Sequence, residues 1–100
     1  MTTDATLLSA WRNGDDAAGR TLIERHMPRL YRFFASRIEA EADDLCQQTL
    51  ADCVKNRDKI EDDAEGRNFR AYLFTIARRR LLKYYRTRRR AAARFDPLEQ

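Results

Sequence analysis

The sequence predicts an all-α fold, an orthogonal bundle of four to five helices. Three observations carry that expectation. Three glycines and two prolines in 100 residues leave too few turn formers for a sandwich or barrel. Apolar residues recur at helical spacing in several separate runs, and no segment alternates with the period of a strand. The length limits the chain to one compact domain with a single modest core.

The elements follow in order. Thr3 or Asp4 can cap a first helix running to about Asn13, with Leu7, Leu8 and Trp11 on one face. Gly14 suits the left-handed stop after it. Asp15 then caps a second helix carrying Ala18, Leu22, Ile23 and His26. Pro28 interrupts that pattern, while Leu30, Tyr31, Phe33, Phe34 and Ile38 continue the same stripe, giving one long bent helix or two abutting ones. A third helix is expected from about Ala42 to Asn56. At 100° per residue its inner face holds Ala42, Leu45, Cys46, Thr49 and Cys53, and its outer face Asp44, Gln47, Gln48 and Ala51.

RDKIEDDAEGRN, residues 57–68, is almost without apolar residues and reads as a loop, longer than a compact domain keeps without a use. Asn68 can cap a last helix reaching about Arg90. Phe69, Leu73, Ile76, Ala77 and Tyr84 form its inner stripe, and Thr75, Arg79, Lys83 and Arg86 line the far side. The ending AAARFDPLEQ loses periodicity and reads as a linker.

Charge is distributed very unevenly. Residues 1–66 contain fourteen acids and nine bases, whereas residues 67–95 contain eleven bases and no acid. A helix that gathers so many cations without neutralising them fits a polyanionic partner, with the acidic half free for another. A solvated face or a membrane-surface helix would also account for a basic helix.

Catalytic chemistry finds little support. The lone His26 sits on an apolar stripe, as satisfied core histidines do, and cannot complete a Ser–His–acid set. Asp43–Asp44 and Glu61–Asp62–Asp63 read as a solvated helix start and a solvated loop, so neither a metal nor another cofactor is expected. Cys46 and Cys53, two turns apart on one helix, are about 10 Å from each other and too distant for a mutual disulfide. Reduced thiols suit a cytoplasmic protein. No apolar run approaches the roughly 20 residues that span a bilayer, and MTTDATLLSAWRNGDD lacks the order of a secretion signal.

Taken in order, ADDLCQQTL, a polar loop and NFRAYLFTIARRRLLKYYRTRRR resemble region 2 of bacterial RNA polymerase sigma factors, most closely the extracytoplasmic-function (ECF) group. The leucine-rich first helix, the Gly14–Asp15 turn and the Leu30–Tyr31 stripe fit as well, so the resemblance covers nearly the whole chain. It implies a non-enzymatic transcription-initiation domain over residues 1–95, with residues 96–100 opening a linker to a missing region 4 domain. It also implies a monomer that binds core RNA polymerase at the β′ clamp helices and recognises and opens the promoter −10 element. The polymerase-binding residues would be Asp44, Gln47 and Gln48. DNA would meet Lys59, Arg67 and Asn68 of the loop and helix start, Arg70 and Tyr72 just behind, and the stripe Thr75, Arg79, Lys83 and Arg86. A base flipped from the −10 element would lie at the loop, where Phe69 and Tyr72 supply aromatic rings, although Phe69 also falls on the inner stripe.

Against the family pattern Tyr72 stands in place of a frequent Trp, Arg79 of Asn and Gln48 of Glu, and EDDAEG is acidic for a DNA-facing loop. These differences bear on which −10 sequence is preferred. Two further readings stay open: a sigma-like interaction module controlled by an anti-sigma factor, and a general basic helical binder of RNA or anionic surfaces. On the first reading, the polymerase and DNA surfaces are expected to face opposite ways.

Overall fold

A computed structural model of the chain describes residues 2–38, 40–60 and 67–94, without the side chains of residues 67, 68 and 94. Among the described residues four α-helices follow one another: α1 (Asp4–Arg12), α2 (Asp16–Ala35), α3 (Ala42–Lys55) and α4 (Arg67–Arg94), with a 3-10 turn at Arg57–Lys59 between the last two. No strand occurs among the described residues, and the all-α expectation holds.

Local chemistry sets the helix boundaries. The Thr3 hydroxyl accepts from the Thr6 amide (3.1 Å) and the Asp15 carboxylate from the Ala18 amide (3.2 Å), so both expected caps form. Between them Gly14 takes φ +102°, a conformation that a Cβ would oppose. Of the two arrangements around Pro28, the chain adopts one continuous helix; proline removes one backbone donor there without ending α2. Asp43 and Asp44 in the first turn of α3 and Lys55 in its last turn complement the helix dipole.

One core joins all four helices. Leu8, Leu22, Leu30, Phe34, Leu45, Cys53, Phe69 and Leu73 are among its buried side chains. His26 belongs to it too: its Nε2 lies 2.6 Å from Asp4 Oδ2, and its ring packs tilted on Phe69 with centroids 5.4 Å apart. Arg25 Nη1 donates to the other oxygen of Asp4 at 2.8 Å, so one carboxylate of α1 holds two side chains of α2. The core reading of His26 therefore holds, with its partner identified. Gly19 has a comparable role in packing. A Cβ on it would stand 2.5 Å from three atoms of the Trp11 indole. Gly19→Ala is expected to destabilise the protein by about 1–2 kcal/mol, the overpacking cost exceeding alanine's better helix propensity. Urea unfolding would measure it.

Three boundaries differ from expectation. α4 continues to Arg94 instead of stopping near Arg90, because Ala91–Ala93 are the strongest helix formers even without an amphipathic pattern. Arg67 is already helical, so Asn68 falls inside the first turn of α4 and does not cap it. The segment after α3 is not all loop: it opens with the 3-10 turn and delivers Ile60 into the core at 1% exposure. Arg57 fastens this turn to α1 by donating from Nη1 to the Trp11 carbonyl at 3.2 Å. Residues 61–66 of the expected loop, and the expected linker at 96–100, lie outside the described residues.

Candidate functional site

A groove of about 340 Å³ runs between the end of α3 and the middle of α4, bordered by Asp52, Lys59, Tyr72, Arg79, Arg80 and Lys83. Core packing of α4 through Phe69, Leu73, Ile76, Ala77 and Leu81 directs Arg79 and Lys83 outward at its rim. Arg86 continues the line and is also exposed. No carboxylate among the described residues pairs with Arg79, Lys83 or Arg86. Three cations on one line, none neutralised by a described residue of the chain, can bind successive phosphates and release their counterions.

Among the described residues Asp52 is the one acid bordering the groove, and its carboxylate is occupied. Arg80 Nε donates to Oδ2 at 2.5 Å and Nη2 to Oδ1 at 2.7 Å, a two-pronged pairing that joins α3 to α4. These hydrogen bonds hold the Asp52 carboxyl below its ordinary value against the opposing effect of burial; the charges of Arg80, Lys55 and Lys83 add to the shift. The third nitrogen of the same guanidinium, Nη1, reaches Gln48 Oε1 at 3.4 Å.

The outer face of α3 presents Asp44, Gln47 and Gln48 as exposed side chains, as the helical wheel places them. Their relation to the cationic stripe, however, is not the expected one. Asp44 and Gln48 border a shallow recess of about 270 Å³ together with Arg80 and Lys83. The two surfaces meet along the seam between α3 and α4 and do not face opposite ways. A wheel gives directions within one helix only, whereas the side-by-side packing of α3 on α4 brings their outer edges together.

The remaining sequence-predicted residues divide by location. Lys59 is exposed on the 3-10 turn and borders the groove with Tyr72, a half-buried ring packed against the core. Burial raises the Tyr72 pKa above its usual value, so the phenol stays a donor. Thr75 is half-buried, its hydroxyl donating to the Ala71 carbonyl at 2.8 Å and accepting from Arg78 Nη2 at 3.4 Å. Arg70 is exposed but stands apart from the groove, in a separate recess with Phe74 and Arg78. Phe69, weighed for base stacking, is buried at 1% exposure and belongs to the core. Arg67 and Asn68 begin α4, and their side chains lie outside the description.

Sequence reasoning missed the Arg80–Asp52 pair, yet a signal existed. Position 80 falls within about 20° of Leu73 around α4, at the edge of the inward stripe, and a half-buried arginine there calls for a counter-charge. Also missed is a larger cleft of about 870 Å³ near the far end of α4, bordered by Arg37, Ile38, Tyr84, Tyr85, Arg88 and Arg89. Arg88 is partly satisfied there, donating to the Tyr84 hydroxyl at 2.9 Å and standing 3.6 Å from Glu41.

The two cysteines are free and buried. Burial, reinforced by neighbouring Asp43 and Asp52 respectively, pushes the Cys46 thiol up to about 11 and the Cys53 thiol up to about 12. Both therefore stay protonated at neutral pH and behave as packing groups. Among the described residues no helix is long and apolar enough to cross a membrane.

The family model described as sigma-70 region 2 matches residues 22–91, a span that takes in most of α2, all of α3 and all but the last residues of α4. Comparison with curated proteins and with solved structures found no match.

Proposed function

The chain belongs to the sigma-70 region 2 family, and from that premise we propose that it is the region 2 domain of an ECF-type sigma factor. It binds core RNA polymerase through the exposed face of α3, and it recognises and opens the −10 element along α4. The observation that carries the reading is the line Arg79, Lys83 and Arg86, unpaired among the described residues, beside a groove whose one described acid is already bound to Arg80.

Arg79, Lys83 and Arg86 supply affinity through phosphates, which conveys no sequence information. Sequence is read where a base leaves the stack. Extruding it costs a few kcal/mol, offset by stacking and hydrogen bonds in a receiving pocket. The groove has a ring for that purpose in Tyr72 and a cation in Lys59, with Arg67 and Asn68 starting the adjoining helix. Arg70, in its own recess, contacts the backbone rather than the extruded base. Asp44, Gln47 and Gln48 dock the polymerase, two neutral amides and one acid on a rigid helix.

Capture of core RNA polymerase by the immobilised domain tests the docking half. Asp44→Ala with Gln47→Ala is expected to lower capture about tenfold, as truncation of two central contacts of an interface does. Undiminished capture by the double variant would remove α3 from the polymerase interface.

A further inference from the structure

The cationic groove contains a carboxylate that ought to work against it. Asp52 stands among Lys59, Arg79 and Lys83, and besides Arg80 the charges of Lys55, on its own helix, and then Lys83, across the groove, already act on it. A free carboxylate there would compete with an incoming phosphate for Lys83, the α4 ammonium that borders the same groove. Arg80 occupies both oxygens of Asp52 through a planar fork that a single ammonium cannot reproduce.

We infer that Arg80 is a positioning residue: by holding Asp52 in a two-pronged pair it keeps Lys83 unpaired and available to nucleic-acid phosphates. Arg80 itself is half-buried at the seam with α3 and is not part of the outward stripe. The inference rests on the DNA-binding reading of the groove and adds to it a residue which acts through another. The contact to Gln48 sets the same guanidinium at the seam between the two proposed docking surfaces.

A simple clamp between α3 and α4 makes a different prediction. If the pair only fastens the helices, removing either partner weakens the fold, and through it any binding, in the same direction. If Arg80 restrains Asp52, the two removals act in opposite directions on binding. Arg80→Ala liberates the carboxylate, whereas Asp52→Asn liberates the guanidinium.

The full chain is compared with Arg80→Ala, Asp52→Asn, the combined Arg80→Ala/Asp52→Asn variant and Arg80→Lys. Two readouts are taken, with thermal melting to confirm folding. The first needs no nucleic acid: the rate at which a limiting amine-acylating reagent modifies Lys83, quantified by mass spectrometry. The second is the affinity for a labelled oligo-dT strand and for a labelled duplex across a salt series.

Arg80→Ala is expected to slow Lys83 acylation severalfold and weaken oligonucleotide binding about tenfold, the equivalent of one charge-assisted contact. Asp52→Asn alone binds at least as tightly as the parent. The combined variant, equal to the parent in net charge, regains both properties. Arg80→Lys falls between, since one ammonium engages the carboxylate less completely. Equal losses from Arg80→Ala and Asp52→Asn, or no recovery in the combined variant, would overturn the inference and leave a clamp. Should the parent chain bind neither oligonucleotide, the DNA reading of the groove fails, while the Lys83 acylation rates still decide the role of Arg80.

Discussion

Phe69→Ala is expected to cost about 3–5 kcal/mol of folding stability, the range for deleting a buried phenyl ring. Phe69 is 1% exposed, sits in the first turn of α4, and packs against the His26 ring that Asp4 holds from α1. The truncation thus opens a cavity where three helices meet. A domain of this size has about 5–15 kcal/mol of total stability to lose. Melting should fall by more than about 12 °C, given a shift of about 4–8 °C for each kcal/mol. The outcome also separates two roles for the ring. A base-stacking aromatic would leave melting nearly unchanged and weaken oligonucleotide binding instead. Tyr72→Ala, at the half-buried groove position, is the natural comparison.

The second large effect is on DNA. Arg79→Ala with Lys83→Ala is expected to weaken binding to oligonucleotides about a hundredfold, or about 3 kcal/mol for two lost charge-assisted phosphate contacts. Its signature is in the salt dependence. Each phosphate neutralised contributes about 0.9 to the slope of log affinity against log salt on duplex, and about 0.7 on a single strand. The double variant should flatten the slope by about 1.8 and 1.4 respectively, while melting stays near that of the parent because both side chains are exposed. An unchanged slope would put the phosphates on another face. The cleft at Arg37, Tyr85, Arg88 and Arg89 is the alternative cationic surface.

Most of the fold was legible because its signals are local. Thr3, Gly14 and Asp15 mark boundaries through caps and a left-handed stop, and the inner face of α3 follows from period alone. All five residues read as its inner face are buried. What escaped was non-local or lacked a period. Ile60 is a single apolar residue in a charged stretch, and nothing in the sequence distinguishes it from a solvated one. The last turn of α4 is alanine-rich, helical by propensity without an amphipathic stripe. Gly19 appears as an ordinary helix interior glycine until Trp11 is seen lying across it.

The candidate site divides in the same way. Exposure of Asp44, Gln47, Arg79, Lys83 and Arg86 could be read from the wheels, since each belongs to one helix. Pairing of Arg80 with Asp52, and the seam where Gln48 meets the cationic edge, depend on how two helices pack. Adjacency of the two surfaces has a physical consequence. On the proposed function, a polymerase bound to the outer edge of α3 would lie next to phosphates held by α4, and DNA would sit directly beside the docking partner.

On the proposed function, two neighbouring edges of α3 and α4 carry separate tasks. The most direct measurement crosses the two variant pairs with the two ligands in one experiment. Core polymerase capture and oligonucleotide affinity are determined for Asp44→Ala/Gln47→Ala and for Arg79→Ala/Lys83→Ala. The first pair is expected to lose capture and keep oligonucleotide binding, and the second to do the reverse with isolated polymerase. Loss of both activities in either pair, with folding intact, would contradict that separation of tasks.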